Sequence, residues 1–111
     1  MTITDEDLRS AVQGTMRLAL VEVVAVEEGE VSGRVLQAIE GELAGILELV
    51  PTGMRAAPRI ALGQHLLVAV SPFRHRTSKL ALMRCEVVSP GDDDEVATRC
   101  RKRLLAIKAG L

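Results

Sequence analysis

The chain has 111 residues, the length of one ordinary domain, and hydrophobic side chains make up 48% of it, which excludes a disordered polar chain. Phe73 is its one aromatic residue, so the predicted core is aliphatic. The formal net charge of −1 argues against nucleic-acid binding through bulk positive charge. No apolar run approaches the ~20 residues of a membrane-spanning helix.

The N-terminal sequence MTITDEDLRS is acidic and contains no apolar signal core. This predicts a cytoplasmic protein. Cys85 and Cys100 are far apart in the sequence, and in a reducing compartment both are expected to be free thiols.

The first predicted elements are a short helix and two strands. Thr4 can cap a helix whose first turn is acidic, and Gly14 ends it. Residues 16–26 are rich in Val and Leu, and branched side chains favour the pleated surface of a strand. A Glu-rich turn through Gly29 leads to a second predicted strand, residues 31–38.

The next stretch, GRVLQAIEGELAGILEL (residues 33–49), fits two periods. In a helix, one face would carry Leu36, Ile39, Leu43, Ile46, Leu47 and Val50. In a strand pair, Leu43, Gly45, Leu47 and Leu49 alternate with Glu42, Ala44 and Glu48. Gly41 and Gly45 each disfavour a helix interior by about 1 kcal/mol relative to Ala. They favour strand, turn and strand, with residues 40–42 as the corner, and the helical interpretation stays open as an alternative.

Three further elements are predicted. HLLVAVS, residues 65–71, indicates a strand bounded by Pro72, and residues 79–89 indicate its return after a basic hairpin tip. Residues 92–109 predict a helix that begins with four carboxylates and carries cations in its later turns, which suits the helix dipole.

These elements predict an α+β, mainly β fold. We expect a small, curved antiparallel sheet or β-barrel of five or six strands over residues 14–89. A short N-terminal helix precedes it and a C-terminal helix, residues 92–109, follows it. The chain, residues 1–111, is predicted to form a single domain.

The sequence shows no catalytic or metal-binding signature. His65 and His75 have no carboxylate or thiol at ligand spacing and are expected to be solvated. No nucleophile motif and no phosphate-binding glycine loop is present. We therefore predict a protein that is not an enzyme and that has no metal and no cofactor.

Basic residues form three sets that can grip phosphates. One is Arg55 and Arg59, with R-x-x-x-R spacing. The second set surrounds Phe73 at the hairpin tip and consists of Arg74, His75, Arg76 and Lys79. The third set lies on the last helix and consists of Arg99, Arg101, Lys102 and Arg103. The candidate ligand-binding residues are Arg55, Arg59, Phe73, Arg74 and Arg76. The alternative for each set is a solvated surface.

VSGRVLQAIEGELAGILEL, ALGQHLLVAV and KLALMRCEVVS, followed by the last helix, resemble a PilZ domain. The resemblance implies a barrel covered by a C-terminal helix and a role in bacterial signalling. The family binds cyclic di-GMP through an R-x-x-x-R arm and a D/N-x-S-x-x-G motif. The motif positions here are Gln37, Ile39 and Glu42, and none matches; Arg9 upstream is followed by Gln13 where the second arginine belongs.

The resemblance therefore implies a degenerate PilZ-type adaptor that acts through a protein partner, with cyclic di-GMP binding disfavoured. An OB-fold RNA-binding domain is one alternative, although the shortage of aromatic residues disfavours nucleic acid. A roadblock-type homodimeric scaffold for a small GTPase is the other, and it requires residues 36–50 to be helical. The high aliphatic content also suggests a homo-oligomer.

Overall fold

The computed structural model describes residues 3–52, 59–72 and 79–110. Within these ranges the elements, in chain order, are α1 (Asp5–Val12), β1 (Arg17–Glu27), β2 (Glu30–Glu40), β3 (Ile46–Pro51), β4 (His65–Pro72), β5 (Leu80–Val88) and α2 (Asp93–Ala109). The predicted fold class, α+β and mainly β with a short N-terminal helix and a C-terminal helix, is confirmed.

The strands form a closed barrel in the order β1-β2-β3-β5-β4. β1 pairs with both β2 and β4, and these ladders are antiparallel. The prediction of an antiparallel sheet is wrong for one pair of strands, because Leu49–Pro51 of β3 lies parallel to Leu80–Leu82 of β5. After β3 the chain crosses to β4, which pairs with β1. β5 then pairs antiparallel with β4 and runs parallel to β3.

The ambiguous stretch is a strand pair. β2 ends at Glu40, Gly41 and Gly45 adopt φ angles of 86° and 72°, and β3 begins at Ile46. A side chain at position 41 would also collide with Arg17, whose Cγ lies 2.7 Å from the place of a Cβ atom. The helical interpretation of this stretch, and with it the roadblock arrangement of elements, is excluded.

The barrel interior is a cluster of buried aliphatic residues with one thiol. It contains Ala19, Val21, Val23, Val31, Leu47, Leu49, Leu66, Val68, Val70, Leu82 and Cys85. In β5 the strict alternation of faces fails, because Ala69 pairs with Arg84 while Val70 pairs with Leu82. The extra residue, Met83, is a β-bulge, and it lets both Leu82 and Cys85 face inward.

A second cluster lies on the outside of the barrel, beneath the helices. We call the contact between this outer face and α2 the helix seam. The barrel residues in it are Leu18, Leu20, Leu67, Ala69 and Val88, and the α2 residues are Ala97, Cys100 and Leu104. α1 adds Leu8 and Ala11 to the same cluster, and a capping box fixes its start, where Thr4 and Asp7 each accept a hydrogen bond from the other's backbone.

None of the helices in the described ranges is long and apolar enough to cross a membrane.

Candidate functional site

Most of the predicted ligand-binding residues lie outside the described residues. These are Arg55, Phe73, Arg74 and Arg76. Arg59 is described, and it is exposed in the connection that leads to β4. The ligand-binding role of these five residues stays a prediction.

Three members of the basic set on α2, Arg99, Arg101 and Arg103, form intramolecular contacts. Arg101 donates to Gln37 Oε1 at 3.2 Å and to the carbonyl oxygen of Ala38 at 3.3 Å. Arg103 donates to Asp5 Oδ1 at 2.7 Å, and this hydrogen bond holds the pKa of the Asp5 carboxyl below its ordinary value. Arg101 and Arg103 therefore fasten α2 to β2 and to α1.

Two of the PilZ motif positions are also occupied by structural contacts. Gln37 donates to Asp94 Oδ1 at 3.0 Å and accepts from Arg101, and Ile39 packs against the helix-seam cluster. Glu42 is exposed in the turn after β2. The side-chain amide of Gln37 therefore connects β2 to Asp94 and to Arg101 of α2.

A row of polar side chains crosses the outer wall of the barrel. The ladders place Arg34, Glu22 and His65 beside one another on three consecutive strands. Arg34 forms an ion pair with Glu22, and Glu22 Oε2 lies 3.9 Å from His65 Nε2. The carboxylate of Glu22 thus stands between a guanidinium and an imidazole.

The row ends at the first turn of α2. His65 Nδ1 lies 2.8 Å and 3.0 Å from the two carboxylate oxygens of Asp93, and the two side chains are 27% and 26% exposed. The expectation that His65 is solvated is therefore wrong. The carboxylates at the start of α2 were interpreted from the sequence through the helix dipole alone, and that signal does not reveal a partner on β4.

Beside His65 lies a cleft of about 520 Å³ between the start of β4 and the end of β5. It is lined by Leu62, Gly63, Gln64, His65, Val87, Val88, Ser89 and Pro90, and these residues define the cleft below. Leu62 is 70% exposed and Val87 is 52% exposed. Two large aliphatic side chains are thus presented to solvent next to a polar pair.

The cleft does not assemble the geometry of a hydrolase. Ser89, His65 and Asp93 lie in one region, but His65 Nε2 faces Glu22 and no hydrogen bond among the described residues joins His65 to Ser89. A serine nucleophile needs a base within hydrogen-bond reach. Burial also raises the pKa of the Cys85 and Cys100 thiols, which disfavours the reactive thiolate.

A second polar group lies at one end of the barrel, near the turn between β1 and β2. Lys79 Nζ donates to Glu30 at 2.7 Å, and this hydrogen bond raises the pKa of Lys79. Glu27 and Glu48 line the same hollow of about 210 Å³. In the described ranges, no three His, Cys, Asp or Glu side chains are grouped so that they could hold a metal ion.

No protein-family model matches the chain, and a search of curated proteins finds no significant match.

Proposed function

We propose that this protein is a non-enzymatic, cytoplasmic protein-binding module that docks a partner in the cleft beside His65. The observation that carries the proposal is the exposure of Leu62 and Val87 on a concave surface next to the His65–Asp93 pair. Exposed apolar side chains rimmed by polar groups are typical of protein interaction sites.

The rest of the barrel wall supports this choice over a catalytic one. The polar row is satisfied by its own members, because Arg34 pairs with Glu22 and His65 with Asp93. Such a network fixes the shape of the surface and leaves the aliphatic side chains as the groups that gain from burial. A PilZ-like adaptor in bacterial signalling remains our prediction for the pathway in which such a module works.

Site-specific photo-crosslinking in cells tests the proposal. A photoreactive phenylalanine analogue in place of Leu62 is expected to give a protein adduct, and the same analogue in place of Ala44, an exposed turn residue far from the cleft in sequence, is the matched control. Adding Val87→Asp should abolish the adduct at position 62. No adduct at position 62, or equal adducts at both positions, would refute a docking role for the cleft.

A second candidate is single-stranded nucleic-acid binding, and the barrel topology favours it. Five-stranded Greek-key barrels of the OB class bind oligonucleotides on the β2–β3 face and on the β1–β2 and β4–β5 loops. The β1–β2 turn and its surroundings are acidic here, with Glu27, Glu28, Glu30 and Glu48, which opposes phosphate. Salt-sensitive RNA binding that is lost in Phe73→Ala with Arg74→Ala would support this candidate over the first.

Cyclic di-GMP binding is disfavoured, because Gln37 is bound to α2 and Glu42 contributes negative charge. Calorimetric titration with cyclic di-GMP is expected to show no heat of binding. Binding that depends on Arg55 and Arg59 would instead place the protein among ligand-responsive signalling domains.

A further inference from the structure

The charges of α2 and of the turn before it are strongly segregated. Residues 92–95 are four carboxylates, whereas residues 96–110 contain five cations and no carboxylate. The acidic end is joined to the cleft through the His65–Asp93 hydrogen bonds, and Asp92 and Asp94 beside it are exposed. Asp93 and the exposed Asp92 therefore place negative charge at one edge of this apolar cleft, whereas Asp94 and Glu95 contact Gln37 and Arg99.

The basic part of α2 carries an apolar projection. Leu105 is 65% exposed, and on the helical period Arg101, Lys102 and Lys108 are its neighbours on the surface of the helix. Arg101 and Lys108 also hold β2, through Gln37 and Glu40, so that the surroundings of Leu105 are fixed. Leu105 with these three cations, called the knob below, has the chemistry that complements the cleft.

The knob cannot fill the cleft of its own chain. Leu105 lies 12 positions after Asp93, which at the rise of an α-helix separates them by about 18 Å along the axis. Two complementary surfaces at opposite ends of one rigid helix can meet only between different molecules. Contacts of this head-to-tail kind build rings or open chains of subunits and no closed two-fold dimer.

We propose that the occupant of the cleft is the knob of a second copy of this protein. Leu105 of one copy inserts between Leu62 and Val87 of the next, and the surrounding cations face the carboxylates at the start of its α2. This inference rests on the proposed function, since it uses the same cleft, and it names the partner. Apolar burial supplies the attraction, and the opposite charges fix the orientation.

Two variants that each block one surface provide the test, with mass in solution measured by light scattering. Leu62→Asp with Val87→Asp blocks the cleft, and Leu105→Asp blocks the knob; the altered side chains are largely exposed, so folding is preserved and circular dichroism checks it. The wild-type protein is expected to exceed 11.9 kDa with rising concentration, and each variant alone to stay at 11.9 kDa. An equimolar mixture of the variants retains one intact knob and one intact cleft, so it should form a species of twice that mass and no larger one.

Ile46→Asp is the matched control, because Ile46 is 64% exposed on β3 and belongs to neither surface. It should associate like the wild type, and high salt should weaken the association of both. A wild-type protein that remains at 11.9 kDa at every concentration would overturn the inference, as would a mixture of blocked variants that fails to pair. If position 62 nevertheless crosslinks to a different protein, the docking function is still supported. If position 62 forms no crosslink either, both the docking function and the self-association are refuted.

Discussion

The barrel interior and the helix seam are both buried, but they are held by different forces. The interior side chains are branched aliphatics and one thiol enclosed by five strands. α2 instead buries three side chains at the seam, Ala97, Cys100 and Leu104. Polar contacts to the barrel surround them, at His65, Gln37, the Ala38 carbonyl and Glu40. The barrel therefore depends on burial, whereas the position of α2 depends on burial together with electrostatics.

The largest effect is expected from a cavity in the interior. Leu82→Ala should lower the free energy of unfolding by about 3–5 kcal/mol, because Leu82 is fully buried and the closed barrel cannot collapse around the lost atoms. Leu104→Ala at the seam should cost about 2 kcal/mol, since α2 can settle onto the barrel. Urea denaturation measures both. A loss at Leu104 equal to that at Leu82 would contradict the comparison, and the exposed Leu105→Ala is the control, expected to be near zero.

An added methyl group inside the barrel should have the next largest effect. A Cβ atom on Gly33 would lie 3.0 Å from Cγ2 of the buried Val21 on the neighbouring strand. Gly33→Ala is therefore expected to cost about 1–3 kcal/mol of overpacking. Adding Val21→Ala should recover part of this loss, so that the two changes are non-additive in thermal or urea unfolding. Simple additivity would show that the barrel wall adjusts freely at this point.

The polar side of the seam should give a smaller effect. A double-mutant cycle on His65→Ala and Asp93→Ala is expected to yield a coupling of about 0.5–1.5 kcal/mol, as for a partly buried hydrogen bond. The exposed pair of Arg99 and Glu95 is the control, with an expected coupling of about 0.3 kcal/mol. Equal coupling in both cycles would show that the bond to Asp93 does not help to hold α2.

The two thiols are expected to give the smallest change in the free energy of unfolding. One lies in the barrel interior and the other at the helix seam, so each reports on one region. Burial raises the pKa of Cys85 in the interior and of Cys100 at the seam. The folded state therefore favours the neutral thiols. Their contribution to the free energy of unfolding is complete below the thiol pKa of the unfolded chain, about 8.5, and is lost as the pH rises above that value. The free energy of unfolding should fall above about pH 8.5, less steeply in Cys85→Ala and Cys100→Ala.

The same thiols report which region opens first. In low concentrations of urea, a thiol reagent is expected to modify Cys100 before Cys85, because release of α2 exposes the seam while the barrel stays closed. Mass spectrometry of the modified peptides gives the order. Simultaneous modification of both thiols would indicate that helix and barrel unfold as one unit.

Much of this fold was predictable from local patterns. Thr4, the acidic first turn and Gly14 bound α1, and a short run of Leu, Val and Ala that ends before Pro72 identifies β4. Gly41 and Gly45 correctly signalled a turn because both adopt positive φ angles, which are costly for other residues. The helix predicted over residues 92–109 is also correct, because α2 extends from Asp93 to Ala109.

The candidate site was far less predictable. Nothing in the sequence connects His65 to Asp93, 28 positions later, because their contact arises where β4 meets the start of α2. The parallel pairing of β3 with β5 and the bulge at Met83 depend likewise on how the sheet closes. The cleft exists because these long-range arrangements leave Leu62 and Val87 uncovered.

The sequence by itself determined the elements of this protein, because helix caps, glycine turns and apolar alternation act between residues a few positions apart. The tertiary structure decided which strands close the barrel, how α2 is fastened to it and where apolar side chains remain exposed. These features depend on contacts between residues distant in the chain, and the physical reason is that burial and ion pairing are set by three-dimensional neighbours, which a local pattern does not encode.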